Sequence, residues 1–292
     1  MTVDQSPVWG DASDLVDVLD VRPEREGRYK SVVRGHNVRP VVEGSQMLGQ
    51  AVVAASRRYP GRRAVSVHMV FFRPADTAAP LWLELCEHAN GRTFTAASVT
   101  VGQGDDRCAA GTILLDVTAP DLIHHAPGAP DVPGPYESEP LDMSVTGRDV
   151  RVVEGAYTGD SGAAVGPPVL DAWVRFGSLP DDPPLHAGLL AQFTGHMSIA
   201  AALRPHPGIG QDQAHRSIST AINAIALSFH DEVRADEWML YHHLSTFAGG
   251  GMTHSECRVH SEDGGLLASF SVDAMVRAFE AGHRPVDEVR AL

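Results

Sequence analysis

Two long apolar segments have the residue pattern of buried helices. From Gly44 to Tyr59, apolar residues recur at helical spacing, and the segment ends in basic residues that suit the negative end of a helix dipole. A second run predicts a helix from Leu189 to Leu203, which Pro205 ends because proline removes a backbone donor. Both segments are apolar on all sides, so each helix is expected to be enclosed by the rest of the fold.

Each predicted helix is followed by four segments with the composition of β-strands. The first set reads RRAVSVHMVFFRP, APLWLELCEHA, RTFTAASVTVGQ and RCAAGTILLDV, and the second reads HRSISTAINAIALSFH, DEWMLYHHLST, GMTHSECRVHS and GLLASFSVDAMVRAF. In both sets a phenylalanine (Phe72, Phe229) closes the long strand, a turn with Ala-Asp follows, and a tryptophan (Trp82, Trp238) opens the next strand. The same order therefore occurs twice, which predicts an internal repeat.

A long helix wrapped by an antiparallel sheet is the hotdog arrangement, so the chain is expected to be an α+β double hotdog. We place the N-terminal hotdog at residues 1–118 and the C-terminal hotdog at residues 167–292. Between them, residues 119–166 are rich in Pro, Gly, Asp and Ser and show little periodicity, which indicates a connector.

Charge and hydrophobicity exclude several classes of protein. The formal net charge of −14 argues against nucleic acid or an anionic membrane surface as a partner. No apolar run approaches the roughly 18 residues that span a bilayer. The acidic N-terminus lacks the basic start and apolar core of a signal peptide, so a cytoplasmic location is expected.

Cysteine and histidine spacing gives no indication of a metal site. The three cysteines, Cys86, Cys108 and Cys257, are odd in number and widely separated, so we expect reduced, buried thiols. The histidines of the second half lack the spacing of helical zinc ligands. Most of them, such as His242 and His243, are expected at the surface or in pH-sensitive contacts.

Five blocks of sequence together carry a family resemblance. They read VVEGSQMLGQAVVAA, VSVHMVFFRPAD, DAWVRFGSLPDDPPLHAGLLAQFTGHMSIAAALRPH, LSFHDEVRADEWMLY and DGGLLASFSVDAMVR. From about Arg34 to Arg277, the chain resembles the acyl-CoA thioesterase II family. The resemblance implies a double hotdog that self-associates as a dimer or higher homo-oligomer. It also implies hydrolysis of fatty acyl-CoA to free acid and CoA, with no metal or organic cofactor.

The chain departs from that family where the family orients its water. The family uses an Asp on the second central helix, a Thr or Ser on the long strand and a Gln on the last strand. In this chain these positions fall on Gly195, Ile222 and Val272. The apolar set predicts that the polar pocket has been filled and that these residues contact substrate. Shifting each position by one residue gives the polar set His196, Asn223 and Asp273. Strand alternation and helix rotation weigh against that shift.

Another candidate lies in the first half. His68 matches a histidine of the family's first hotdog, and it shares a strand face with Ser66 and Val70. It is either a general base or acyl-thioester contact, or a structural histidine hydrogen-bonded between the two halves. The structural interpretation is favoured.

The start of the first helix offers a second set of candidates. Glu43 precedes this helix, and hotdog hydrolases as a class often place a catalytic carboxylate near it. A carboxylate there also stabilises the helix dipole without any catalytic role. Gly44, Ser45 and Gln46 present backbone N–H groups that suit an oxyanion hole.

Two classes of function follow. The first is an acyl-CoA thioesterase that keeps weak activity or whose water-activating group has moved to Glu43, His68 or His196. The second is a non-hydrolytic acyl-CoA or lipid binder, or an enzyme of another acyl-thioester reaction such as hydration. Whole-chain resemblance favours the thioesterase.

Overall fold

Helices occupy the centre of the molecule and strands surround them. The computed structural model describes residues 12–31, 41–142, 147–157, 160 and 162–279. The helices are α1 (Ala12–Leu19), α2 (Gly44–Arg58), α3 (Pro183–Phe193) and α4 (Ser198–Leu203). The strands are β1 (Arg22–Arg25), β2 (Arg28–Lys30), β3 (Arg63–Phe71), β4 (Trp82–Asn90), β5 (Phe94–Gln103), β6 (Asp106–Asp116), β7 (Glu139–Pro140), β8 (Arg148–Val152), β9 (Val169–Phe176), β10 (Ile218–Phe229), β11 (Met239–Gly249), β12 (Met252–Ser261) and β13 (Leu266–Ala278).

The first predicted helix is confirmed as α2, but the prediction of one continuous second helix was wrong. That helix begins earlier, at Pro183, where proline suits the first turn because its missing N–H is not needed there. It ends at Phe193, where the Thr194 hydroxyl donates to the carbonyl of Ala191 at 2.6 Å. Met197 then adopts a φ of +69° before α4 starts, a left-handed conformation that no helix interior contains.

All of the described strands belong to one antiparallel sheet. Its order is β1-β2-β4-β5-β6-β3-β10-β13-β12-β11-β9-β8-β7. The two halves join where β3 pairs with β10, with Met69 opposite Ile225 and His68 opposite Ala226. Each half wraps its own central helix, so the predicted α+β double hotdog is confirmed.

The predicted connector contains secondary structure that its composition does not indicate. Strand β8 pairs along its whole length with β9, and β7 pairs with β8. Residues 148–152 therefore extend the sheet of the second half. The domain boundaries stay a prediction, and residues 1–11 and 280–292, which they include, lie outside the described residues.

The two long helices α2 and α3 are antiparallel and touch through glycines. A Cβ atom added to Gly49 would lie 2.5 Å from the carbonyl oxygen of Gly188, and one added to Gly188 would lie 2.6 Å from Val53. The same antiparallel arrangement brings the last turn of α2 to the start of α3. There Arg57 forms ion pairs with Asp20 and, at 2.9 Å, with Asp182.

The predicted burial of the cysteines is confirmed for two of the three. Cys108 and Cys257 are buried, and all three thiols are free. Cys86 is exposed, because the alternation of β4 turns it outward while its neighbour Leu85 points to the core. None of the described helices is both long and apolar enough to cross a membrane.

We expect Gly49→Ala to destabilise the fold by about 1–3 kcal/mol, because the new methyl group meets backbone that cannot rotate away. Alanine is the better helix former, so its propensity alone predicts the opposite sign. Urea unfolding measures the difference. Gly128→Ala is the control, since a Cβ there meets nothing within 4 Å, and an equal effect of the two substitutions would contradict the close helix contact.

Candidate functional site

A polar cluster lies where the start of α2 meets the end of α3. Glu43 is the residue before the first turn of α2, and its side chain does not cap that helix. Instead its Oε2 accepts a hydrogen bond from Nε2 of Gln192 at 3.1 Å and lies 3.4 Å from Nε2 of His196. The antiparallel helices therefore bring together two of the predicted catalytic residues from opposite halves of the chain.

Arg148 completes the cluster from β8. Its Nη1 lies 3.3 Å from Oε1 of Gln192 and 3.3 Å from Nε2 of His196. The guanidinium also stacks over Phe193, at 5.2 Å from the ring centre, and the imidazole of His196 lies 4.9 Å from the same ring. The cluster thus combines one carboxylate, one guanidinium and one imidazole against an aromatic face.

Nε2 of His196 lies among two donors and one acceptor. Nη1 of Arg148 is 3.3 Å away and Nε2 of Gln192 is 3.5 Å away, whereas the acceptor, Oε2 of Glu43, is 3.4 Å away. Arg148 donates to Gln192, and Gln192 donates to Glu43. A carboxylate only accepts, so the contact between Glu43 and the imidazole is favourable when Nε2 carries a proton. The other ring nitrogen, Nδ1, has no hydrogen-bond partner among the described residues.

Glu43 is held as an anion. Burial by itself would raise the pKa of its carboxyl group. The charge of His196 in its imidazolium form, the hydrogen bond from His196, the charge of Arg148 and the hydrogen bond from Gln192 lower that pKa to about 2. Burial in turn lowers the pKa of Arg148, and Glu43 opposes that shift. A carboxylate this acidic is a weak proton acceptor at neutral pH and is better suited to orient the imidazole.

The start of α2 supplies backbone donors next to this cluster. The N–H groups of Gly44 and Ser45 have no acceptor within the described part of the chain, as is usual for the first turn of a helix. The N–H of Gln46 donates to the carbonyl of Glu43 at 3.1 Å. The prediction of Gln46 as an oxyanion donor is therefore wrong, because that N–H already has a partner.

The other predicted substrate contacts belong to the second half. Gly195 lies in the break between α3 and α4, directly against the side chain of Ser45. Ile222 precedes a bulge in β10 and packs on the core, and the fully buried Val272 lies on the adjacent strand β13, opposite Ile225. Their contact with substrate stays a prediction.

The alternative polar set of His196, Asn223 and Asp273 does not come together in the structure. Asn223 is the extra residue of the bulge in β10 and has no partner in the ladder with β13. Asp273 is exposed and accepts a hydrogen bond from Nδ1 of His254 at 2.7 Å. Only His196 of that set belongs to the polar cluster at Glu43.

His68 is separated from the cluster by the sheet itself. Its neighbours Val67 and Met69 are buried towards the helices, so the exposed His68 side chain points to the outer face. There it lines a cavity of about 620 Å³ at the seam between the halves, whose polar lining includes Ser66, Glu256 and Arg258. His68 therefore faces a different surface from Glu43 and His196.

The prediction that His243 lies at the surface or in a pH-sensitive contact was wrong. It is completely buried, with Tyr241 and Phe270 packed edge-on against its ring. Burial, together with the charge of His242, lowers the pKa of His243 to about 3, so the ring is neutral at physiological pH. Its neighbour His242 binds Asp171 at 2.7 Å. Within the described ranges, no group of three or more His, Cys, Asp or Glu side chains is placed to hold a metal ion.

Sequence reasoning missed Gln192 and Arg148. Gln192 lies four residues before His196, a spacing that places two side chains on one helix face, so this contact had a readable signal. Arg148 had none, because it lies in the segment interpreted as a connector and reaches the cluster only through the pairing of β8 with β9.

Two units, each with a sheet wrapped around a central helix, place the chain among proteins of the hotdog fold. Family models agree with this fold. The acyl-CoA thioesterase N-terminal domain matches residues 33–115, and the acyl-CoA thioesterase C-terminal domain matches residues 120–275. The chain belongs to the acyl-CoA thioesterase family, whose activity is hydrolysis of acyl-CoA.

Individual proteins show the same similarity over nearly the whole chain. Acyl-coenzyme A thioesterase 8 of Rattus norvegicus is 25% identical, over 94% of this chain and 93% of the rat protein. The solved structure of the tesB protein of Mycobacterium avium subs paratuberculosis is 24% identical, covers 91% of this chain and 99% of its own, and has a TM-score of 0.78. That of the acyl-CoA thioesterase II TesB2 from Mycobacterium marinum is 24% identical, covers 92% and 100%, and has a TM-score of 0.76. These structures support the fold.

We expect Glu43→Gln to lower the free energy of unfolding by about 1–3 kcal/mol at neutral pH, since the charged form of Glu43 is the one its neighbours stabilise. The folded pKa lies below the unfolded value of about 4.5, so this stabilisation is complete above pH 5 and disappears as the pH falls towards 2. Urea titrations from pH 7 to pH 3.5 measure the difference between wild type and variant.

Glu262→Gln, at an exposed carboxylate in the turn between β12 and β13, is the control and should change stability little at any pH. A Glu43→Gln effect that is constant with pH would contradict the depressed pKa of Glu43.

Proposed function

We propose that this protein hydrolyses acyl-CoA thioesters at the Glu43–His196 cluster, with His196 as the general base. The observation that carries the proposal is the half-buried carboxylate–imidazole pair beside the N-terminus of α2. An ionised Glu43 holds Nε2 of the imidazole and leaves Nδ1 to accept a proton. The family membership of the chain supplies the class of substrate.

The reaction needs two steps at this cluster. A water oxygen attacks the thioester carbonyl carbon while one of its protons passes to Nδ1 of His196. The carbon–sulfur bond of the tetrahedral intermediate then breaks, and the imidazolium returns the proton to the leaving CoA sulfur. Glu43 stabilises the imidazolium between these two steps, as a carboxylate behind a catalytic histidine does. The products are the free acid and CoA.

The oxyanion of the intermediate is assigned to the N–H groups of Gly44 and Ser45. Both groups lie at the positive end of the 15-residue helix α2. Arg148 adds a fixed positive charge within the same cluster. The developing negative charge therefore meets donors that are already oriented before the reaction.

The residues at the family's water-orienting positions take another role in this proposal. Ile222 and Val272 are assigned to the wall of the acyl pocket, and Gly195 to its entrance beside Ser45. The burial of Val272 and the packing of Ile222 on the core support an apolar wall. This wall suits a fatty acyl chain.

The wider setting of the reaction is also proposed. The protein is assigned to the cytoplasm and to fatty acid metabolism, working as a dimer or higher homo-oligomer without a metal or organic cofactor. The exposed edges at β1 and β7 and the outer cavity beside His68 offer surfaces for self-association. Light scattering on the purified protein gives the number of chains.

We expect His196→Ala to lower kcat for acyl-CoA hydrolysis about 10²–10⁴-fold, the range for loss of a general base. Glu43→Gln should also lower kcat, because the imidazolium loses the negative charge that stabilises it. Release of CoA thiol from a panel of short to long acyl-CoAs measures both effects.

His206→Ala, at an exposed histidine just beyond α4, is the matched control and should keep wild-type kcat. Loss of activity in His68→Ala with full activity in His196→Ala would move the reaction to the outer face. Tight binding of acyl-CoA by a wild-type protein with no turnover would instead identify a non-hydrolytic binder.

A further inference from the structure

Ser45 has an unusual environment for a serine. It lies in the first turn of α2, and only 2% of its surface is exposed. Its hydroxyl makes no hydrogen bond to the residues that the structure describes. Its Oγ is not one of their fully enclosed unpaired atoms, so it keeps a small accessible area. An accessible hydroxyl without a protein partner takes its hydrogen bond from water or from a ligand.

Gly195 is the residue that makes room for this hydroxyl. A Cβ atom added to Gly195 would lie 2.4 Å from Oγ of Ser45 and 2.7 Å from its Cβ. Any side chain at position 195 would therefore displace Ser45. His196 follows Gly195 directly in the chain, so the Ser45 hydroxyl lies next to the backbone that carries this imidazole.

We infer that the Ser45 hydroxyl and Nδ1 of His196 together hold the water that attacks the thioester. This inference rests on the proposed function and names a further catalytic residue for it. One proton of the water is directed to Nδ1 and the other to Oγ of Ser45, which leaves a lone pair for the carbonyl carbon. The hydroxyl stays unmodified throughout, and the water proton taken by Nδ1 leaves with CoA.

In this inference, Ser45 contributes to catalysis through both its hydroxyl and its backbone N–H. Its hydroxyl faces the attacking water, and its backbone N–H faces the oxyanion that the attack creates. Both groups belong to the first turn of a helix fixed by its contact with α3. The distance between nucleophile and oxyanion donor is therefore set by one residue, which favours a constant attack geometry.

Substitutions at both positions test the inference. Ser45→Ala should lower kcat about 10- to 100-fold with KM changed less than about 3-fold, because the water is lost and the acyl pocket is not. Ser45→Gly should do the same. Adding Gly195→Ser to Ser45→Gly returns a hydroxyl to the same space and should recover at least about 5-fold in kcat. Ser56→Ala, at a buried serine near the other end of α2, is the control.

The outcomes separate the two proposals. Wild-type turnover with unchanged kcat in Ser45→Ala overturns the role of Ser45 and keeps the proposed function. No wild-type turnover overturns both. A rise in KM alone overturns the water-holding role, because it assigns Ser45 to substrate binding.

A second measurement uses the unsubstituted protein, so it is independent of how the variants fold. A high-resolution crystal structure should show an ordered water within hydrogen-bond distance of both Oγ of Ser45 and Nδ1 of His196. Direct contact of these atoms, or a water bound to neither, would overturn the inference.

Discussion

The structure depends on the close antiparallel contact between α2 and α3. The two helices approach until the backbone of Gly49 meets that of Gly188, which no residue with a side chain would permit. This contact sets which ends of the helices meet. At one end Arg57 binds Asp182, and at the other Glu43 meets Gln192 and His196. The polar cluster is therefore a product of the interface between the two hotdog units, and neither unit contains it alone.

Two opposing effects decide whether Glu43 in this cluster is ionised. Taking Glu43 out of water costs free energy, and the positive groups around it offset that cost sufficiently to keep it ionised. Arg148 reaches the cluster through the sheet of the second half, which anchors it on β8. The break after Phe193 then frees His196 from the helical ladder and turns its ring against Phe193. Glycine at position 195 leaves space for Ser45.

Much of the fold could be predicted from sequence, because its signals are periodic and repeated. The apolar spacing of residues 44–58 predicts α2, and the matched positions of Phe72 and Phe229 predict the repeat. The break between α3 and α4 could not be predicted from apolarity alone, since apolar residues continue across it. It depends on the Thr194 hydroxyl and on the left-handed Met197.

Two residues of the site could be predicted from sequence, one beside α2 and one in the break between α3 and α4. The contacts between them could not. Glu43 and His196 could be singled out as polar residues beside buried helices. Their meeting requires the antiparallel packing of helices more than 100 residues apart in sequence, which local patterns do not encode. Arg148 could not be predicted either, because it reaches the site through the pairing of a strand that lies in a Pro- and Gly-rich segment. The separation of His68 follows from strand alternation, but only the sheet order shows which face is outside.

The most direct test of the account is the state of the imidazole of His196 in solution. Nitrogen-15 NMR of the histidine side chains, assigned with the His196→Ala variant, reports which ring nitrogen carries the proton. The account predicts that Nε2 of His196 carries a proton and that the Nδ1 signal shifts when a non-hydrolysable acyl-CoA thioether is added. A His196 signal that does not move, while that of His68 shifts, would place the substrate on the outer face and contradict the account.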